Sequence, residues 1–131
     1  MLNSIICIDD DPVTLMLFKK IAQKASFAKK IIEASNGEEA INVLNNISKT
    51  ETKPELIFLD LNMPIISGWE FLDIFNSSHY QSLNNTKIII LTSTIDPEDI
   101  KKSKKYPNVI EFFSKPITIE MLNYLKNKIK L

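Results

Sequence analysis

Five short apolar runs, each closed by a polar residue, are what most constrains the fold. They are SIICI before Asp9, KKIIEAS before Asn36, ELIFL before Asp60, KIIIL before Thr92 and VIEFFS before Lys115. Their length and their content of Ile and Phe predict strands covered on both faces of a parallel sheet.

Helical spacing fills the intervals. Asp11-Pro12 supplies an N-cap and a proline at the first helical position, and Val13, Met16, Leu17, Ile21 and Ala25 give one broad apolar face. Asn36-Gly37 is a turn signal before EEAINVLNNI, and WEFLDIF follows Ser67-Gly68. Asp96-Pro97, with Glu98 and Asp99 favouring the positive end of the dipole, opens a fourth helix that Tyr106-Pro107-Asn108 breaks. A fifth starts at Thr118 and carries Ile119, Met121 or Leu122, Leu125 and Ile129, with lysines at its C-terminal end. The stretch NSSHYQSLNNT reads as a helix end and a surface loop. Strands alternating with helices in five units predict an α/β domain with a mainly parallel sheet covered on both faces. With 131 residues the expectation is one domain over 1–131, with no separate output module.

Composition excludes several function classes. All 16 basic residues are lysines and are balanced by 16 acids, so no net field draws the chain to nucleic acid or membrane. The absence of arginine removes the usual reader of guanine, which argues against direct DNA binding. Cys7 is the single cysteine, so no intrachain disulfide forms, and its apolar setting predicts a small buried hydrophobe. No signal-peptide pattern is present and no segment approaches ~20 apolar residues, so a soluble cytoplasmic domain is expected.

In doubly wound sheets the ligand crevice lies beyond the carboxyl ends of the strands. Four runs end there at groups suited to ion or phosphate chemistry: Asp9 and Asp10, Asp60, Thr92, and Lys115. Gaps of 50, 32 and 23 residues separate Asp10, Asp60, Thr92 and Lys115, and a parallel sheet brings them to one edge. Three carboxylates and one ammonium leave excess negative charge, which a hard divalent cation relieves. Mg²⁺, or Mn²⁺, suits few carboxylates, retained waters and a phosphate oxygen. Asp60 is then a further ligand, or also a nucleophile that takes a phosphoryl group as an acyl phosphate. Lys115 pairs with carboxylate or phosphate, and the Thr92 hydroxyl can donate to a phosphate oxygen.

IICIDDDP, LIFLDLNMPIISGWEFL, IIILTS and FFSKPI, in this order, resemble the signature of the response-regulator receiver domain of two-component signalling. The resemblance implies a flavodoxin-like (βα)5 fold, a doubly wound five-stranded parallel sheet of order 2-1-3-4-5 with helices on both faces. It implies Asp60 as phospho-acceptor, Asp10 as a direct Mg²⁺ ligand, Asp9 as one acting chiefly through water, and the Asn62 backbone carbonyl as a further ligand. Thr92 is implied as the switch hydroxyl and Lys115 as the phosphate contact, its bond to Pro116 being cis in the family. Phe112 occupies the aromatic switch position and lacks the hydroxyl of the frequent tyrosine. Ser93 stands where many receivers have alanine. The implied partners are a sensor histidine kinase or histidine phosphotransfer protein and a downstream protein, read through the surface of the fourth helix, fifth strand and fifth helix. Such a domain is no enzyme beyond its own phosphoryl transfer and autodephosphorylation.

Each residue also has a plainer reading. Asp11 is better explained as a helix cap than as a metal ligand. Asp9 and Asp10 exceed what one cap needs, and Asp60 after LIFL would be desolvated without a partner. Gly68 serves the start of the third helix, Trp69 and Phe71 serve packing or partial surface, and His79 is solvated. Lys101, Lys102, Lys104, Lys105, Lys126, Lys128 and Lys130 make residues 96–131 net positive, eight lysines against five acids, and read first as a solvated face and second as a docking surface. A Mg²⁺-dependent phosphatase of the haloacid dehalogenase type needs an acid two residues after its nucleophile, where Asn62 stands. A phosphorylation-independent interaction domain of the same fold is the other alternative, and retention of all the site residues weighs against it.

Overall fold

The computed structural model describes residues 1–49 and 53–129. The chain order is β1 (Leu2–Ile8), α1 (Pro12–Lys24), β2 (Ala28–Ala34), α2 (Gly37–Ile47), β3 (Leu56–Leu59), α3 (Gly68–Phe75), a 3-10 helix (Ser78–Leu83), β4 (Lys87–Thr92), α4 (Pro97–Ser103), β5 (Val109–Ser114) and α5 (Ile119–Lys128). The strands form one five-stranded parallel sheet of order β2-β1-β3-β4-β5. This is the flavodoxin-like arrangement, with the strand order reversing between β1 and β3.

Helices cover both faces. On one, Leu15, Phe18 and Ala22 of α1 and Leu122 and Leu125 of α5 enclose Cys7, Phe27 and Phe58, with the Phe18 and Phe58 rings 4.7 Å apart. On the other, Ala40 and Leu44 of α2 and Phe71, Leu72 and Phe75 of α3 lie over Ile8, Leu59 and Ile90. Burial of this apolar surface is the main stabilising contribution. The helices begin as their sequences require. Side chains of Asp11, Asn36, Ser67, Asp96 and Thr118 accept from backbone N–H groups of the first turn, and Ser67 with Glu70 completes a capping box.

Three expectations are corrected. The buried stripe of α1 is Leu15, Phe18 and Ala22, while Val13, Met16 and Leu17 are exposed and only Ile21 and Ala25 pack at its margin. The first two turns are apolar all round, so spacing alone does not choose the face; the bulk of Phe18 against Phe58 does. Only the inner strands are buried on both faces: β2 exposes Lys29 and Lys30, and β5 is half-buried throughout, because both are edges. NSSHYQSLNNT is no plain loop, since its 3-10 helix buries Tyr80 and Leu83, and the Tyr80 hydroxyl donates to Asn45 Oδ1 at 2.6 Å.

Candidate phosphoacceptor site

The sheet ladder runs one residue past three strand ends, and that step fixes the site. The Asp9 N–H donates to the Ala34 carbonyl at 3.1 Å, the Asp60 N–H to the Ile8 carbonyl at 3.0 Å and the Lys115 N–H to the Thr92 carbonyl at 2.7 Å. Their side chains therefore leave from a rigid frame at one edge. Lys115 Nζ lies 2.6 Å from Asp9 Oδ2 and 3.4 Å from Asp60 Oδ2. The free oxygen of each carboxylate is also held: Asp9 Oδ1 accepts from the Asp11 N–H at 2.9 Å and Asp60 Oδ1 from the Asn62 N–H at 3.2 Å.

Asp9 and Asp60 are 2% and 4% exposed, whereas Asp10 is open to solvent. Burial, then the charge of Asp9, pushes the Asp60 carboxyl above its ordinary range, against the pull of Lys115. Burial works against the charge of Lys115 too, yet its hydrogen bond to Asp9 and the charges of both acids raise its pKa. One lysine thus leaves the pair of buried carboxylates under-compensated. Carboxylate oxygens of Asp9, Asp10 and Asp60 lie within 4.8 Å of one another. Opposite ligands of an octahedral Mg²⁺ stand about 4.2 Å apart, so small side-chain rotations suffice for the three to share a hard cation. Asp11 is outside this group: its carboxylate caps α1, accepting from the Val13 N–H and the Thr14 hydroxyl.

Thr92 is buried at the end of β4, its hydroxyl 3.5 Å from the Thr94 carbonyl, a distance at the limit of a hydrogen bond. Phe112 is half-buried and packs against the α2–α3 core. The Lys115-Pro116 peptide is cis. Ser93 is exposed at the rim.

Two residues that the sequence did not assign to the site support it. Gly68 is more than the start of α3: a Cβ there would stand 2.5 Å from the Asp60 carbonyl oxygen and 2.7 Å from Leu61 Cα. Gly37 presses on the same loop further along, where a Cβ would meet Ile66 Cβ, and these are the chain's two glycines. That scarcity was the available signal, since glycine is needed where backbones approach closely. Between them Ile65 adopts φ 68° and is 91% exposed beside Asp10, a conformation that β-branched residues rarely take.

A parallel sheet of this order with an acid–lysine cluster beyond β1, β3 and β5 defines a doubly wound domain of the flavodoxin-like class. The family model of the response regulator receiver domain matches residues 5–126, and the chain belongs to that family. The crystal structure of a two-component response regulator from Cytophaga hutchinsonii is similar with a TM-score of 0.91 and 35% identity, over 98% of this chain and 97% of that one. A protein-glutamate methylesterase/protein-glutamine glutaminase of Methanospirillum hungatei is 33% identical over 101 residues, 76% of this chain and 25% of that protein. The nitrate/nitrite response regulator NarL of Escherichia coli is 32% identical over 102 residues, 78% of this chain and 43% of that protein. The chain therefore matches less than half the length of these two relatives. Among the described residues no helix is long and apolar enough to cross a membrane.

Proposed function

We propose that the domain accepts a phosphoryl group on Asp60 from a phosphohistidine of a sensor kinase or histidine phosphotransfer protein. The observation that carries this reading is the junction of Asp9, Asp60 and Lys115, two buried carboxylates sharing one lysine at an open strand edge. Asp9, Asp10, Asp60 and the Asn62 carbonyl would hold Mg²⁺ or Mn²⁺. Bound there, the cation neutralises charge on the phosphoryl oxygens during transfer.

An Asp60 oxygen attacks phosphorus in line, the O–P bond forms, the P–N bond breaks, and the leaving imidazole keeps its electron pair. The protein's own contribution is position and charge. Lys115 shifts from the Asp60 carboxylate to a phosphoryl oxygen, and Thr92 turns its weakly held hydroxyl to another. Phe112 then turns into the space that Thr92 leaves, and the surface of α4, β5 and α5 changes its affinity for a downstream protein or passes the phosphoryl group onward. The lysines of this surface divide: Lys126 donates to the Ala25 carbonyl and Lys128 to Glu111 and the Ile110 carbonyl, so these two are structural. Lys101, Lys104 and Lys105 are exposed, and Lys130 lies outside the described residues.

Intact-mass measurement after incubation with Mg²⁺ and phosphoramidate tests the reading. One phosphoryl mass is expected on the wild type and none on Asp60→Asn. An unmodified wild type, under conditions that modify a known receiver, overturns it.

A further inference from the structure

α4 is the helix least held by the core. Of its seven residues only Ser103 is buried, and that hydroxyl donates back to the Ile100 carbonyl within the helix. None of its side chains, Ile100 included, joins either apolar cluster. Something other than hydrophobic burial must set its position.

The contacts that do so converge on Trp69 of α3, the chain's single tryptophan. Lys102 Nζ of α4 lies 4.5 Å above the indole. The Tyr106 ring, three residues beyond α4, lies 5.8 Å from it at 32°. The Tyr106 hydroxyl reaches back to α3 and donates to Asp73 Oδ1 at 2.7 Å. Burial, then this bond to Asp73, pushes the Tyr106 phenol up to about 12, so it stays a donor at neutral pH. At its other end α4 is tied through residues 93–96 to Thr92, the residue whose hydroxyl is only loosely engaged by Thr94.

We propose that Trp69, Asp73, Lys102 and Tyr106 form a clamp that holds α4 against α3 in the resting domain and opens when Thr92 turns toward phosphorylated Asp60. The coupling rests on the phosphoryl-acceptor reading; the clamp itself does not. Exposed cation–aromatic contacts and single hydrogen bonds each shift an equilibrium only about threefold to tenfold. Their sum positions a two-turn helix, and one charge-assisted bond from Thr92 to a phosphoryl oxygen is strong enough to compete with it. The Trp69 and Tyr106 rings pack only at the margin of the α2–α3 cluster and Lys102 is exposed, so opening the few contacts leaves the sheet and the fully buried core intact.

Acrylamide quenching of the single indole and amide exchange along α4 decide the matter. Lys102→Met and Tyr106→Phe keep most of the apolar contact while removing the cation and the bond to Asp73. Each is expected to raise α4 amide exchange about threefold to tenfold, to raise quenching of Trp69, and to leave exchange in β1 and β3 unchanged. Mg²⁺ with beryllofluoride should raise quenching in the wild type and add little in the double variant. Identical quenching and exchange in wild type and variants overturns the clamp. Unchanged wild-type quenching with bound beryllofluoride visible by fluorine NMR overturns the coupling. If fluorine NMR shows no bound beryllofluoride, the phosphoryl-acceptor reading and the coupling fall together, while the variants still decide the clamp.

Discussion

Asp60 sits where the fold holds a carboxylate against its own electrostatics. Its pKa lies above the ordinary value of 3.8, so between that value and the folded one the unfolded chain binds fewer protons than the folded chain. Stability contributed at this position therefore falls as pH rises through that window. Asp60→Asn, measured without divalent cations, should raise the melting temperature at about pH 7, with the gain shrinking toward about pH 3. A constant difference across this range would contradict the assignment of a raised pKa. Gly68 acts on the same carboxylate from behind. With a Cβ 2.5 Å from the Asp60 carbonyl oxygen, Gly68→Ala must push the backbone aside. We expect a loss of about 1–3 kcal/mol in denaturant unfolding and phosphoramidate labelling slowed about tenfold or more. Ile65 predicts the reverse. Asn tolerates the left-handed region better than a β-branched residue, so Ile65→Asn should stabilise the domain by about 1 kcal/mol in the same unfolding assay.

Among the elements, the caps were plain in the sequence and the buried faces were less so. Asp11, Asn36, Ser67, Asp96 and Thr118 announce helix starts because a short acceptor side chain before an apolar segment has a local task. The stripe of α1 is not legible locally, because five of the six residues from Val13 to Phe18 are apolar, and only packing into the cluster around Phe58 selects Leu15 and Phe18. Asp11→Ala tests the separation of the cap from the proposed metal site: the loss of its bonds to Val13 and Thr14 should cost about 1 kcal/mol in urea unfolding. Phosphoramidate labelling in Mg²⁺ should be unchanged, and a labelling defect would bring Asp11 into the site.

For the whole molecule, three carboxylates gathered against one lysine predict that the folded state binds a hard cation better than the unfolded chain does. Mg²⁺ at about ten times its dissociation constant should stabilise the wild type by about 1.4 kcal/mol, and Asp10→Asn should lower that gain; an equal shift in both would place the ion elsewhere. By itself the sequence determined the alternation of strand and helix and the chemistry at each strand end, because hydrophobic period and capping are local and Asp9, Asp60, Thr92 and Lys115 each close an apolar run. Tertiary structure alone decided how close the groups come, since the distances from Lys115 to Asp9 and Asp60 depend on four strands, β1, β3, β4 and β5, paired in register. It also decided that both glycines lie against the loop leaving Asp60 and that α4 is fastened to α3 through Trp69. Residues up to 106 positions apart along the chain set these contacts, and no local period records them.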